Sequence, residues 1–201
     1  MLVLLIATII VSFAKYSIER IYGDEALGIY SSAVNPTIFI QVSASLLFTP
    51  LVNLLAESLK DANKKRFSTL FAVSFAIILA ITLVFTAVSY FFGEWILAFL
   101  FEDSIISYAY LMTGAAVGAG LTAFMWFMNV VFSTVRDIKG IFVCNLIGAI
   151  ICFAASEMLL VRYGLIGANY VIIISQGVAV LCTLVRLFWV LKKKPGLFAG
   201  M

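Results

Sequence analysis

Six apolar stretches, about 1–21, 28–58, 67–92, 105–134, 140–161 and 166–191, occupy most of the chain. Each reaches the roughly 20 residues that a helix needs to cross a hydrocarbon core about 30 Å thick. Lipid offers the backbone no hydrogen-bond partner, so a spanning segment is either a helix or a strand of a closed barrel. None of the six shows the residue-by-residue alternation of a barrel strand. The fold class that follows is all-α, a polytopic membrane helix bundle with six transmembrane helices. The composition fits: 64% of the residues are hydrophobic and 11% charged, where soluble domains carry about a quarter charged.

The joints are short and polar: GDEAL (23–27), KDANKKR (60–66), the FGEW and FEDS edges (92–95 and 101–104), RDIKG (136–140) and RYGLIG (162–167). Short joints make consecutive helices antiparallel neighbours. No linker, low-complexity run or internal repeat divides the chain, so residues 1–201 read as a single lobe. The opening MLVLLIATIIVSFAK lacks the basic flank and small-residue cleavage site of a signal peptide, and reads as a first transmembrane helix.

Lys and Arg set the orientation, because they are retained on the cytoplasmic side. Lys60, Lys64, Lys65, Arg66, Arg136, Lys139, Arg186, Lys192, Lys193 and Lys194 fall at one end. The other end has Lys15, Arg20 and Arg162, and collects Glu19, Asp24, Glu25, Glu94, Glu102, Asp103 and Glu157. Both termini are therefore expected in the cytoplasm.

Several function classes lose support. There is no histidine, and Cys144, Cys152 and Cys182 lie in apolar runs without CxxC spacing, so they read as small packing residues and no metal or cofactor is expected. A nucleophile with its base, a phosphate-cradling loop and an acidic pair deep in a span are all missing, which argues against an enzyme. The net charge of +3 is modest, and nothing points to nucleic acid.

What remains is polarity at membrane depth, which is expensive and marks bundle interiors or wet cavities. Lys15 lies about 21 Å along the first helix. It either snorkels to the outer headgroups, pairs with Glu19 one turn on, or faces a cavity. Gln41, Asn129 and Asn145 are further candidates, either as ligand contacts or as amides that join helices. Tyr90, Phe91, Phe92, Trp95 and Trp189 read as interface anchors. The second stretch, about 46 Å if fully helical, contains Pro36 and Pro50, so two kinks are expected. Gly114 and Gly118 have the spacing that lets helix backbones approach closely.

The run KYSIERIYGDEALGIYSSAVNPTIFIQ (15–41), followed by TPLVNLLAESLKDANKKRF (49–67), resembles the start of the second half of bacterial polysaccharide flippases. These belong to the multidrug/oligosaccharidyl-lipid/polysaccharide exporter superfamily. The resemblance rests on ALGIYS (26–31), the basic joint and the Gly-Leu-x-Gly-Ala of 164–168. It departs from the family where Ala14-Lys15-Tyr16 stands in place of Pro-Arg-Tyr, keeping the positive charge. The resemblance implies one six-helix lobe of a two-lobe transporter, completed by an N-terminal six-helix lobe, so that this chain is expected to be a fragment or a split half. It implies a lipid-linked oligosaccharide on undecaprenyl diphosphate as cargo, moved across the bacterial inner membrane, with Lys15 and Tyr16 at the substrate cavity. A cation-coupled drug antiporter of the same superfamily and a non-transporting membrane scaffold stay open as alternatives.

The charge distribution makes a direct prediction. A topology reporter fused after Lys194 or within Asp61 to Lys65 reads cytoplasm, and one at Glu102 reads the outer side; an outward C-terminus contradicts the six-span scheme.

Overall fold

The computed structural model describes residues 2–61, 63–101 and 103–193, with side chains for all of these except 2–7, 47–49, 103 and 193. Glu102 and Lys194, used in the charge count, lie outside the described residues. The elements are α1 (Leu2–Tyr22), α2 (Asp24–Val34), a 3-10 turn (Asn35–Thr37), α3 (Ile38–Lys60), α4 (Lys64–Leu100), the short α5 (Asp103–Ile106), α6 (Tyr110–Thr134), α7 (Ile138–Tyr163) and α8 (Ile166–Lys193). The molecule is all-α among the described residues.

Five stretches are long and apolar enough to cross a membrane: Asp24–Lys60, Lys64–Leu100, Tyr110–Thr134, Ile138–Tyr163 and Ile166–Lys192. The helix α1 is also long, at 21 residues, and lies along α7.

The boundaries follow from local chemistry. Gly23 (φ 85) and Gly164 (φ 66) adopt backbone angles that cost a glycine little, and there the chain reverses after α1 and after α7. The Asn63 side chain caps α4 by accepting from the Arg66 amide at 2.9 Å. Arg66 also pairs with Glu57 and Asp61, at 3.3 and 3.2 Å, which closes the α3–α4 joint.

Two boundaries differ from the sequence reading. The second stretch is interrupted once, at Asn35–Thr37 around Pro36, and α3 runs unbroken across Pro50. Pro36 has no N–H to continue the ladder after Asn35 bonds the Ser31 carbonyl, and the chain tightens there until the Ile38 amide turns to the Asn35 and Pro36 carbonyls. The third stretch, expected over 67–92, extends to 37 residues because the helix continues through Gly93 and Glu94 to Leu100.

The helix α6 is the centre of the bundle. Packed against it are α3 and α4 on one side and α8 on the other, with α7 against α8 and α1 against α7. The larger apolar cores form toward the two ends, with smaller ones between α1, α7 and α8 and around Ile40. One of the larger, with Leu55, Phe67, Phe127, Phe132, Ile141 and Leu187, gathers toward the basic end; the other, with Ile18, Leu97, Leu111, Met112 and Leu160, gathers toward the opposite end. On α4 the aromatic side chains Tyr90, Phe91, Phe92 and Trp95 are exposed near the C-terminal end.

Glycines set the closest approaches. A Cβ at Gly114 would come within 2.9 Å of Asn169 Nδ2, and one at Gly118 within 3.0 Å of Ile172 Cγ2, so the pair at four-residue spacing is where α6 meets α8. At the α7–α8 joint a Cβ on Gly167 would lie 2.3 Å from the Leu159 carbonyl oxygen. Ion pairs tie the ends. Arg20 pairs with Glu157 between α1 and α7. Arg186 of α8 holds Asp137 through Nε at 2.8 Å and Nη2 at 3.3 Å.

Because the Leu159 carbonyl is backbone and cannot swing away, Gly167→Ala is expected to destabilise the chain by about 1–3 kcal/mol. Gly177→Ala, where a Cβ meets nothing within 4 Å, is the matched control and is expected to be neutral or slightly stabilising. Thermal unfolding of both variants in the same detergent checks this.

Candidate functional site

The connection between α2 and α3 decides where the site lies. After the Asn35–Thr37 turn α3 runs along α6 and α4, while α1 runs along α7 and α8; α1 and α3 touch at most marginally. A cleft therefore separates them, with α6 and α8 as its floor. It holds a cavity of about 140 Å³ whose walls include Lys15 of α1, Asn35 and Thr37 of the turn and Gln41 of α3. Gly114, Gly118, Thr122, Asn169 and Ile172 belong to the floor. Glycines on the floor leave the room that larger side chains would occupy.

The end of the cavity farther from the basic residues is a closed polar system. Tyr30 Oη donates to Asn169 Oδ1 at 2.8 Å, and Asn169 Nδ2 donates to the Leu111 carbonyl at 2.8 Å. Both side chains are almost fully buried, so these bonds satisfy groups that lipid and apolar packing would leave costly. Thr37 Oγ1 donates to the Val34 carbonyl at 2.7 Å and steadies the turn.

Lys15 is different. It is half-buried, and among the described residues no carboxylate lies within 4 Å of its ammonium, Glu19 included. No acidic residue lines the cavity. A low-dielectric recess with one cation and no counter-charge carries a positive potential that attracts anions.

The candidates separate. Lys15 and Gln41 are brought to opposite walls of one cavity. Tyr16 is 55% exposed, with its ring 6.1 Å from that of Phe13, and does not line the cavity. Asn129 is buried toward the basic end, away from the cavity, and both atoms of its amide lack a partner. Tyr30, Asn35, Thr37, Thr122 and Asn169 were not singled out from the sequence. Asn35 and Thr37 flank Pro36, and Asn169 follows directly on the Gly-Leu-Ile-Gly-Ala run, so proximity to a helix break is the signal that was available. The cysteines are free; Cys152 is buried and its thiol faces the Ile10 carbonyl at 3.4 Å, in keeping with packing roles.

No family model, curated protein or solved structure matches the chain.

Removing the Tyr30 hydroxyl leaves Asn169 Oδ1 buried without its donor. Tyr30→Phe is expected to lower stability by about 1 kcal/mol, the scale of an interhelical hydrogen bond in a membrane bundle. Thermal unfolding beside the unaltered chain measures it, and an unchanged midpoint contradicts a closed polar end.

Proposed function

We propose that the chain is the C-terminal lobe of a polysaccharide flippase, and that it moves undecaprenyl-diphosphate-linked oligosaccharide across a bacterial inner membrane by alternating access. In this reading α1 is the sixth span, both termini are cytoplasmic, and an N-terminal six-helix lobe faces the α1–α3 cleft. The observation that carries it is Lys15, a cation that among the described residues has no carboxylate partner, on the wall of a cavity between α1 and α3.

The dimensions suit part of such a cargo. About 140 Å³ accommodates a phosphate or diphosphate and not a chain of sugars, so the oligosaccharide would occupy the space between the two lobes. The polyprenyl tail would remain among lipid acyl chains, where burying it again costs nothing. Gln41, across from Lys15, offers an amide to a phosphate oxygen or a sugar hydroxyl. The sequence resemblance over residues 15–67 supports the same reading, and the absence of an acidic lining favours an anionic cargo over the cations of a drug antiporter.

The test uses the purified chain in nanodiscs with undecaprenyl diphosphate, scored by native mass spectrometry. Loss of a charge-assisted contact worth about 1.5–3 kcal/mol lowers affinity about 10- to 100-fold for Lys15→Ala. Lys15→Glu is expected to be worse through repulsion, and Lys15→Arg to bind, since charge is kept despite a different donor geometry. Equal binding by the alanine and glutamate variants overturns the proposal.

A further inference from the structure

The cavity floor continues, as a line of polar side chains, into a region that looks apolar from outside. On α8, Gln176 is fully buried and neither Nε2 nor Oε1 has a hydrogen-bond partner; on α6, Asn129 is buried and its amide is likewise unpartnered. On α7, Asn145 Oδ1 is buried without a donor, although its Nδ2 is satisfied by the Ile141 carbonyl at 2.9 Å. Amides are among the groups least tolerant of a dry interior, and a native fold pairs them with protein or with water.

Their positions are related. Asn169 Nδ2 reaches the Leu111 carbonyl, and Thr183 Oγ1 lies 3.8 Å from Met125 Sδ; in both contacts the partners are 58 residues apart. The helices α6 and α8 therefore run parallel. Asn169, Gln176 and Thr183 stand at seven-residue intervals, so Gln176 lies on the same stripe of α8 as two residues that touch α6. Gly114 faces Asn169 and Gly118 faces Ile172. Counting on from these facing pairs, Gln176 comes near the level of Thr122, and Thr183 near the level of Asn129.

Taken along the bundle axis, the groups form two levels about 10 Å apart, Gln176 with Thr122 and Thr183 with Asn129. Facing groups at one level can share a bridging water, with two hydrogen bonds of about 2.8 Å each. Thr122 and Thr183 donate their hydroxyl protons to the Gly118 and Ala179 carbonyls, which leaves both oxygens free to accept from water. Asn145 is level with Thr183, because Gly148 on the same helix faces Ala179, and supplies a third wall. Thr122 itself lines the Lys15 cavity, which makes the line continuous with it.

We propose that Gln176, Thr122, Thr183, Asn145 and Asn129 bind internal water molecules at two levels of the α6–α8 interface, the first of them, at Thr122, adjoining the Lys15 cavity. This water is bound whatever cargo the cavity takes, and hydrates the cavity from the side opposite Tyr30 and Asn169.

Chemical accessibility tests it. In the full chain with Cys144, Cys152 and Cys182 replaced by alanine, reconstituted in nanodiscs, Gln176→Cys and Asn129→Cys are compared with Ala123→Cys, a buried α6 position among apolar neighbours. Thiols react as thiolates, which need water, so maleimide labelling read by mass spectrometry is expected to be about tenfold faster at both test positions than at the control. Rates at both positions as slow as the control overturn the proposal. Where a variant does not retain cooperative unfolding, the unaltered chain decides through hydroxyl-radical labelling with radicals generated from bound water. Met125, in contact with Thr183, is then expected to oxidise several-fold faster than Met112, which is equally buried in the other core. Equal oxidation of the two methionines overturns it.

Discussion

Everything in this bundle depends on how closely α6 can approach α8. Lipid tails are as apolar as leucine, so helices in a membrane gain little from hiding apolar surface from each other and rely on close contact and polar bonds. Gly114 and Gly118 remove the side chains that would hold the two helices apart. Asn169 then reaches across to the Leu111 carbonyl and accepts from Tyr30 with its other end. With that contact made, α6 is surrounded, α3 and α4 have a surface to pack on, and the second polar layer below Ile172 comes into register.

The cleft is a consequence of the same geometry acting on unequal partners. Along α7, α1 is held by Arg20 on Glu157, by Tyr22 Oη donating to the Leu160 carbonyl at 2.7 Å, and by the edge contact of Phe13 with Phe153 at 4.2 Å. On the other side α3 follows α6 and α4. The three-residue turn at Pro36 is the point at which the chain leaves one allegiance for the other, and it is also a wall of the cavity. Charge at Lys15 has its effect there because the surrounding wall offers no carboxylate to cancel it.

Much of this architecture is written openly in the sequence. The apolar runs appear as helices in the expected order, five stretches among the described residues being long and apolar enough to cross a membrane, and the glycines of α6 are where two backbones meet, because hydropathy and residue size act locally. Extent was harder to read: Gly93 and Glu94 look like a helix end, yet α4 continues, since tertiary packing of Gly93 beside Ala109 and Met112 accepts the small residue. Pro36 and Pro50 look alike in sequence, but only the first coincides with a break. For the site, depth alone singled out Lys15 and Gln41 as candidates. Tyr30 and Asn169 escaped notice because their pairing spans 139 residues, and neither carries a formal charge to attract attention. The register that lines up Gln176 with Thr122 is a property of two helices together and has no signature in either one.

The length of α4 has a consequence for the surroundings of the protein. Its 37 residues extend about 55 Å, and most of its surface faces outward, so it is the element that neighbouring lipids touch most. Between Phe67 and Phe92 the apolar length is near 39 Å against a core of about 30 Å, and the excess is met by leaning or by thickening the local bilayer, at fractions of a kcal/mol per Å. The exposed aromatic group at Tyr90 to Trp95 favours a fixed seat among the headgroups, which penalises some of those adjustments. Through that one helix the bundle acquires a preferred membrane thickness, and a change in the acyl chains of the host membrane would be felt as torque on α3 and α6, the two helices to which α4 is fastened.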